Sequence, residues 1–265
     1  MGLYRLRVSK GRLDPESADA HYNRQRSLAA YGFTKPYLSN RFVLDAGCGG
    51  GHGTLFLSQE AKRVIGTDLD FAAVRYARAR SSSSHLHFVC SDLLRMPYPS
   101  ETFDVVVSFQ VVEHLPYVNP YFQEVRRVLK RDGLFFLATL NRDQTTAGLN
   151  PHHPKEYTFS EFRQLVSAFF PAASFYGLFG NERYLSVRRE EARFGSMFLK
   201  MDPWGLRRRL PHALWEWIYA FCTLCVNRYV SWRKPVAKEL TTADFEVRSS
   251  TLEKAIDFIA LCRKE

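Results

Sequence analysis

Apolar residues in the first half of the chain fall into short unbroken runs, each closed by a polar residue or a turn. Val43-Leu44-Asp45-Ala46, Arg63-Val64-Ile65-Gly66-Thr67-Asp68 and His87-Phe88-Val89-Cys90-Ser91-Asp92-Leu93 are three of them. Phe103-Asp104-Val105-Val106-Val107-Ser108-Phe109 is a fourth, and Leu134-Phe135-Phe136-Leu137 a fifth. Continuous β-branched and aromatic runs suit strands buried on both faces, as in a parallel sheet. Helical stretches separate them, so residues 41 to 140 predict right-handed βαβ units. The alternation continues through a helix near Phe159–Phe169 and a strand near Ala173–Phe179, and a last strand is expected at Asp257–Arg263. Ser81 to Ser84 reads as a turn before the third strand.

The first strand runs into Gly47-Cys48-Gly49-Gly50-Gly51-His52-Gly53, five glycines in seven positions. Glycine lets backbone N–H groups approach a ligand closely, and the helix expected from Thr54 would add the donors of its first turn. This is a nucleotide-type cofactor site. The spacing is G-x-G-x-G rather than the dinucleotide G-x-G-x-x-G, and Asp45 stands two residues ahead of it. An acid there would repel a pyrophosphate but accept hydrogen bonds from an ammonium group.

The D-x-G-x-G-x-G pattern at Asp45, Gly47, Gly49 and Gly51 resembles motif I of class I S-adenosylmethionine-dependent methyltransferases. Three later segments fit the same resemblance in the expected order. Asp68 ends the second strand, where a carboxylate is placed to bind ribose hydroxyls; capping the next helix is the alternative. Phe103-Asp104-Val105-Val106-Val107-Ser108 and Val111-Val112-Glu113-His114-Leu115 resemble the fourth-strand motif of the small-molecule, methyltransferase type 11-like branch. Leu129-Lys130-Arg131-Asp132-Gly133 resembles L-K-P-G-G, with Gly133 expected to supply the positive φ of the turn. The resemblance implies an α/β, Rossmann-like doubly wound fold. It predicts a mostly parallel seven-stranded sheet, with an antiparallel last strand and a helical insertion before it. It also implies S-adenosyl-L-methionine as cofactor and S-adenosyl-L-homocysteine as product. The residues it assigns to that cofactor are Asp45, Gly47, Cys48, Gly49, Gly51, Asp68, Leu69, Asp92, Leu93 and Gln110, with Asp92 at the adenine amino group. Arg24, with Arg26 close by, resembles a helix arginine that meets the cofactor carboxylate.

The expected organisation is an N-terminal helical cap (1–40, with a helix from about Pro15 to Tyr31), a cofactor-binding core (41–180), an aromatic and basic helical insertion (181–250) and the final strand (251–265). The insertion carries Trp204, Arg207, Arg208, Arg209, Trp215, Trp217 and Trp232. Its stretch from Leu214 to Trp232 is apolar, but Glu216, Asn227 and Arg228 interrupt it, short of a transmembrane span. A lid, a dimer contact and a membrane-surface helix are its three expected uses. Five scattered cysteines exclude a disulfide framework. Cys222 and Cys225 read as two thiols on one buried helix face, and no metal is expected. The basic N-terminal decapeptide has no apolar signal core, so a cytoplasmic protein is expected, as monomer or homodimer.

Net charge of +10 favours anionic partners. No nucleic-acid module flanks the core, and Ser108-Phe109-Gln110-Val111 lacks the N-P-P-Tyr type motif of base-amino methyltransferases, so nucleic acid is not the expected acceptor. A hydroxyl acceptor must lose its proton, best to a group with pKa near neutrality. His153, then His152, then His114 are the candidate bases. Asn150-Pro151-His152-His153-Pro154-Lys155-Glu156-Tyr157 resembles an N-P-x-H-x-[KR]-E-[FY] run that lies over the active site of bacterial relatives. The expected activity is O-methylation of a small molecule or sugar. An RNA methyltransferase, a methyltransferase of a membrane lipid or quinone, and a non-catalytic S-adenosylmethionine-binding protein are the alternatives.

Overall fold

The computed structural model describes residues 21–81, 83–145, 150, 152–200 and 211–265. Strands β1 (Phe42–Ala46), β2 (Arg63–Asp68), β3 (Leu86–Cys90), β4 (Phe103–Phe109) and β5 (Leu129–Leu140) run parallel. Helices α1 (His21–Gly32), α2 (His52–Leu57), α3 (Phe71–Ala79), α4 (Val118–Val128) and α5 (Phe159–Ser167) accompany them. Strands β6 (Ser174–Gly180), β7 (Phe245–Arg248) and β8 (Asp257–Arg263) complete one sheet in the order β3-β2-β1-β4-β5-β8-β6-β7. Helices α6 (Glu182–Lys200) and α7 (His212–Arg233) lie between β6 and β7 in sequence.

The unbroken apolar runs behave as parallel strands must. In β4, Val106 faces a cluster with Tyr121, Phe122 and Val125 of α4 and Phe162 of α5, whereas Val105 and Val107 face Tyr31, Leu57 and Val74 of α1, α2 and α3. Strand order reverses between β1 and β4, which opens a crevice at their carboxyl ends. As expected, β8 pairs antiparallel with both β5 and β6.

Four expectations need correction. The sheet has eight strands, because Phe245–Arg248 pairs antiparallel with Gly177–Gly180 as an edge strand. The insertion is therefore not helical throughout; a four-residue half-buried strand is too short to leave a clear period in the sequence. The segment expected as a turn lies within β5, and its left-handed residue is Asp132 (φ +61°), not Gly133. Gly133 is needed for space, since a Cβ there would lie 2.8 Å from the Lys130 carbonyl oxygen. Cys225 is exposed on α7 and Cys222 half-buried, so the pair does not share a buried face, although the five cysteines are free thiols. The N-terminal helix is described from His21; residues 15–20, Trp204 and Arg207–Arg209 lie outside the described residues. Among the described residues no helix is long and apolar enough to cross a membrane.

Helix α1 is held to the sheet by a charged clamp. Arg26 donates from Nε to Asp257 Oδ2 (2.7 Å) and from Nη2 to Oδ1 (2.5 Å), with both side chains largely withdrawn from water. Beside it, Tyr22 of α1, Tyr184 and Val187 of α6 and Val230 of α7 form a separate apolar cluster. The insertion thus packs on α1. Removing one partner of a buried bidentate pair leaves an uncompensated charge, so Arg26→Met should cost about 3–5 kcal/mol in urea unfolding. Adding Asp257→Asn should recover most of that loss, and an equal loss in the double variant would contradict the clamp.

Candidate active site

Strand β1 ends on a carboxylate that does not face the crevice. Asp45 is completely buried; Tyr31 donates its hydroxyl to Oδ1 (3.0 Å) and Thr54 its hydroxyl to Oδ2 (2.7 Å). The sequence pointed to Asp45 as an acceptor for an ammonium group; in the folded chain each of its oxygens accepts from a hydroxyl of the protein. Both oxygens are turned to α1 and α2, so the acid shapes the turn between them. Burial pushes the Asp45 carboxyl up to about 6 against those two hydrogen bonds, with the charge of Asp68 adding to the rise.

The turn itself needs its glycines. Gly47, Gly49 and Gly51 have φ of +86°, +52° and +83°. The N–H groups of Gly47 and Cys48 both donate to the Thr67 carbonyl (2.8 and 2.9 Å), which stitches the turn to β2. A Cβ on Gly47 would come within 2.3 Å of Val111, so this glycine lets the loop after β4 close on the turn. Cys48 is buried within it.

Asp68 ends β2, 3% exposed, with Oδ2 accepting from Gly49 N (2.8 Å) and Oδ1 from Asp70 N (2.9 Å). It does not cap α3. Asp70 does, accepting from Ala72 N and Ala73 N. Leu69 and Phe71, on either side of Asp70, are 65% exposed, large apolar side chains at the mouth of the crevice. Asp92 is exposed just beyond β3, with Oδ1 accepting from Leu94 N (2.9 Å), while Leu93 turns into the core. Gln110 follows β4 in a left-handed conformation (φ +58°). Arg24 lies 3.4 Å from His21 Nδ1, and together with burial its charge lowers the His52 pKa, which places it beside the glycine turn. Arg26 is committed to Asp257 and is not available to a ligand.

The loops after β4 and β5 meet on the other side of the crevice. Glu113 and His114 sit in a 3-10 turn directly after β4. Glu113 is 1% exposed and accepts from Thr139 Oγ1 (3.0 Å); burial pushes its carboxyl up to about 7. His114 Nδ1 donates to the His152 carbonyl (2.8 Å), and the His114 and His153 rings meet edge to face at 4.7 Å. His153 Nδ1 lies 2.8 Å from Glu156 Oε1, and Thr145 donates to Glu156 Oε2 (2.7 Å). Burial raises the Glu156 pKa, but the His153 and Thr145 hydrogen bonds outweigh it and the group is held below its ordinary value. An ionised Glu156 only accepts, so His153 carries its hydrogen on Nδ1 and its lone pair on Nε2, where the Asn150 amide donates (2.9 Å). All three candidate histidines thus come together. Glu156 stands in the N-P-x-H-x-[KR]-E-[FY] run, the signal in the sequence that points to it; Tyr31 and Thr139 have none, being remote in sequence from Asp45 and Glu113.

A doubly wound sheet with a glycine turn after β1, an acid after β2 and a polar cluster beyond β4 and β5 defines the class I methyltransferase fold. A family model described as "Methyltransferase domain" matches residues 44–137. A "Probable S-adenosylmethionine-dependent methyltransferase" of Mycolicibacterium smegmatis is 32% identical over 216 residues, 80% of this chain and 81% of that protein. One of Mycobacterium tuberculosis is 30% identical over 257 residues, 95% of this chain and 86% of that protein. A Thermotoga maritima crystal structure, described as an S-adenosylmethionine-dependent methyltransferase and possible histamine N-methyltransferase, superposes with a TM-score of 0.60 at 13% identity. That superposition covers 93% of this chain and 92% of the other, and at such identity it supports the fold alone. The chain belongs to the S-adenosylmethionine-dependent methyltransferases. The crevice offers groups that such a cofactor can use: left-handed glycine backbone after β1, the acid Asp68 at the end of β2 and exposed apolar surface at Leu69.

Because burial raises Asp45, the folded protein keeps a proton between about pH 3.8 and 6 that the unfolded chain has released. Rising pH therefore removes stability in that window. The stability of the protein relative to Asp45→Asn should fall as pH rises from about 4 to 6 and then level off, read by urea unfolding across pH. A gap independent of pH would contradict the burial of the carboxyl.

Proposed function

We propose that the protein transfers the methyl group of S-adenosylmethionine to a hydroxyl oxygen of a small molecule or sugar. One observation carries this reading: the cluster of Glu113, His114, His153 and Glu156 on the loops where an acceptor would meet the cofactor's methyl. An oxygen nucleophile has a proton to lose, and an imidazole oriented by a carboxylate is suited to take it. In this reading His153 is the base. Glu156 holds the tautomer that leaves the lone pair on Nε2, and Thr145 fixes Glu156. His114 and His152 frame the same loop through their shared hydrogen bond.

The cofactor supplies an electrophilic methyl on a sulfonium when bound. The chain's own contribution is binding, orientation and exclusion of water. Asp68 would receive the ribose hydroxyls and Asp92 the adenine amino group, with Leu69 against the ring and Gln110 on the side of β4. The turn from Gly47 to Gly51 and Arg24 would take the amino-acid end. The insertion serves as a lid. Arg188 of α6 donates to the Gln144 carbonyl (2.9 Å) just after β5. Tyr219 of α7 has its pKa raised by burial and, further, by the charges of Glu156 and Glu191. The net charge of +10 favours an anionic acceptor, such as a phosphorylated or nucleotide-linked sugar.

Asp68→Ala should weaken cofactor binding by roughly 1.5–3 kcal/mol, the worth of charged hydrogen bonds to two hydroxyls. Calorimetry with S-adenosylhomocysteine measures it, and an unchanged affinity would remove Asp68 from the ribose. His153→Ala should lower turnover about a hundredfold while cofactor affinity stays intact. The acceptor class is tested by transfer of radiolabelled methyl into a cell extract: label in a low-mass, nuclease-resistant fraction supports the reading, and label released by RNase overturns it.

A further inference from the structure

The acceptor loops hold more than a proton acceptor. Ligand atoms of Glu113, His114 and His153 all lie within 4.8 Å of one another, although the residues come from two loops and span forty positions of sequence. Glu113 is buried to 1% exposure, with Oε2 taken by Thr139. Its Oε1 is buried within the protein and has no hydrogen-bond partner among the described residues. A buried carboxylate oxygen normally has a donor, so one without a partner beside two imidazoles marks a place for a cation. The imidazoles are set for the same purpose. His114 holds its hydrogen on Nδ1, against the His152 carbonyl, and His153 holds its own on Nδ1, against Glu156. In both rings the lone pair is then on Nε2. Anchoring one ring nitrogen to a carbonyl or carboxylate is how proteins orient histidines that bind metal through the other.

We propose that Glu113, His114 and His153 bind a divalent first-row transition ion, with an open position for an oxygen of the methyl acceptor. Two imidazoles and one carboxylate select zinc, manganese, iron or cobalt ions over magnesium and calcium, which take oxygen ligands. Three protein ligands with one position left open is the pattern of catalytic rather than structural sites. Around an ion with ligand bonds of about 2.1 Å, tetrahedral ligand atoms lie roughly 3.4 Å apart, so binding draws the three side chains inward by at most about an ångström. His153 Nε2 gives up the Asn150 amide in doing so.

The binding stands on the donor set alone; the use of the ion rests on the proposed O-methylation. A cation at this point polarises an acceptor hydroxyl, whose proton passes to solvent as the new O–C bond forms and the S–C bond of the cofactor breaks. His153 then acts as a ligand, and the ion takes over the acidification otherwise asked of a base.

The test uses tag-free full-length protein stripped with EDTA, titrated with Co²⁺ by visible absorption and with Zn²⁺ by calorimetry. One equivalent of each should bind, with ligand-field bands of low coordination number for cobalt. Glu113→Gln and His114→Ala should each weaken binding at least tenfold. S-adenosylhomocysteine affinity, measured on the same samples, should stay within twofold and shows that each variant is folded. No stoichiometric binding, or binding that survives Glu113→Gln unchanged, overturns the site. S-adenosylhomocysteine bound normally by a protein that takes no metal leaves the methyltransferase reading standing without the ion. Metal binding without methyl transfer to any hydroxyl compound would overturn the proposed acceptor chemistry and keep the site.

Discussion

The rest of the structure depends on burying one carboxylate at the end of β1. Asp45 has no exposure, and a carboxylate so placed is tolerated only when donors reach it. Its two donors come from different elements, Tyr31 from α1 and Thr54 from α2, so satisfying the acid fixes both helices against the strand. The chain between β1 and α2 then has only a few residues in which to turn, and it does so with three left-handed glycines. Gly53 belongs to the same constraint, since a Cβ there would lie 2.1 Å from the Tyr31 ring. With the turn fixed, Gly49 N is delivered to Asp68, and the acid at the end of β2 is oriented in its turn.

The sequence carried the parallel strands clearly, because β1, β2, β4 and β5 are continuous apolar runs and sheets buried on both faces demand such runs. The glycine turn was equally legible, since G-x-G-x-G after a strand has few other uses. What could not be read was direction and distance. A strand-ending acid looks the same whether it points to a ligand or into the core, and the residue that decides the matter, Tyr31, stands fourteen positions earlier on a helix with no marked apolar face. Strand β7 pairs through four residues only, below the length at which a period of two stands out. Near the start of β5, aspartate tolerates the left-handed region well enough to take the position that glycine was expected to fill, and Gly133 answers to sterics instead.

The insertion makes sense in the same terms. It leaves the sheet after β6 and returns through β7, so its two ends are tied to neighbouring strands. Between them it packs on Tyr22 of α1, and α1 is tied to β8 by Arg26 and Asp257. The insertion and the helix that donates to Asp45 are therefore packed as one unit.

Polar groups in the two halves of the crevice are treated differently, and the difference separates what is general from what is particular. On the cofactor side Asp45, Asp68 and Asp70 all hold donors, from hydroxyls or from backbone N–H groups. On the loops beyond β4 and β5, Glu113 keeps a buried oxygen without a partner among the described residues, and the His114 and His153 rings meet edge to face at 4.7 Å. A fold that satisfies its buried acids wherever only shape is needed, and leaves one unsatisfied where β4 and β5 present their loops, is storing electrostatic demand at that point. The demand is met when something positive, or something with a proton to give, arrives there.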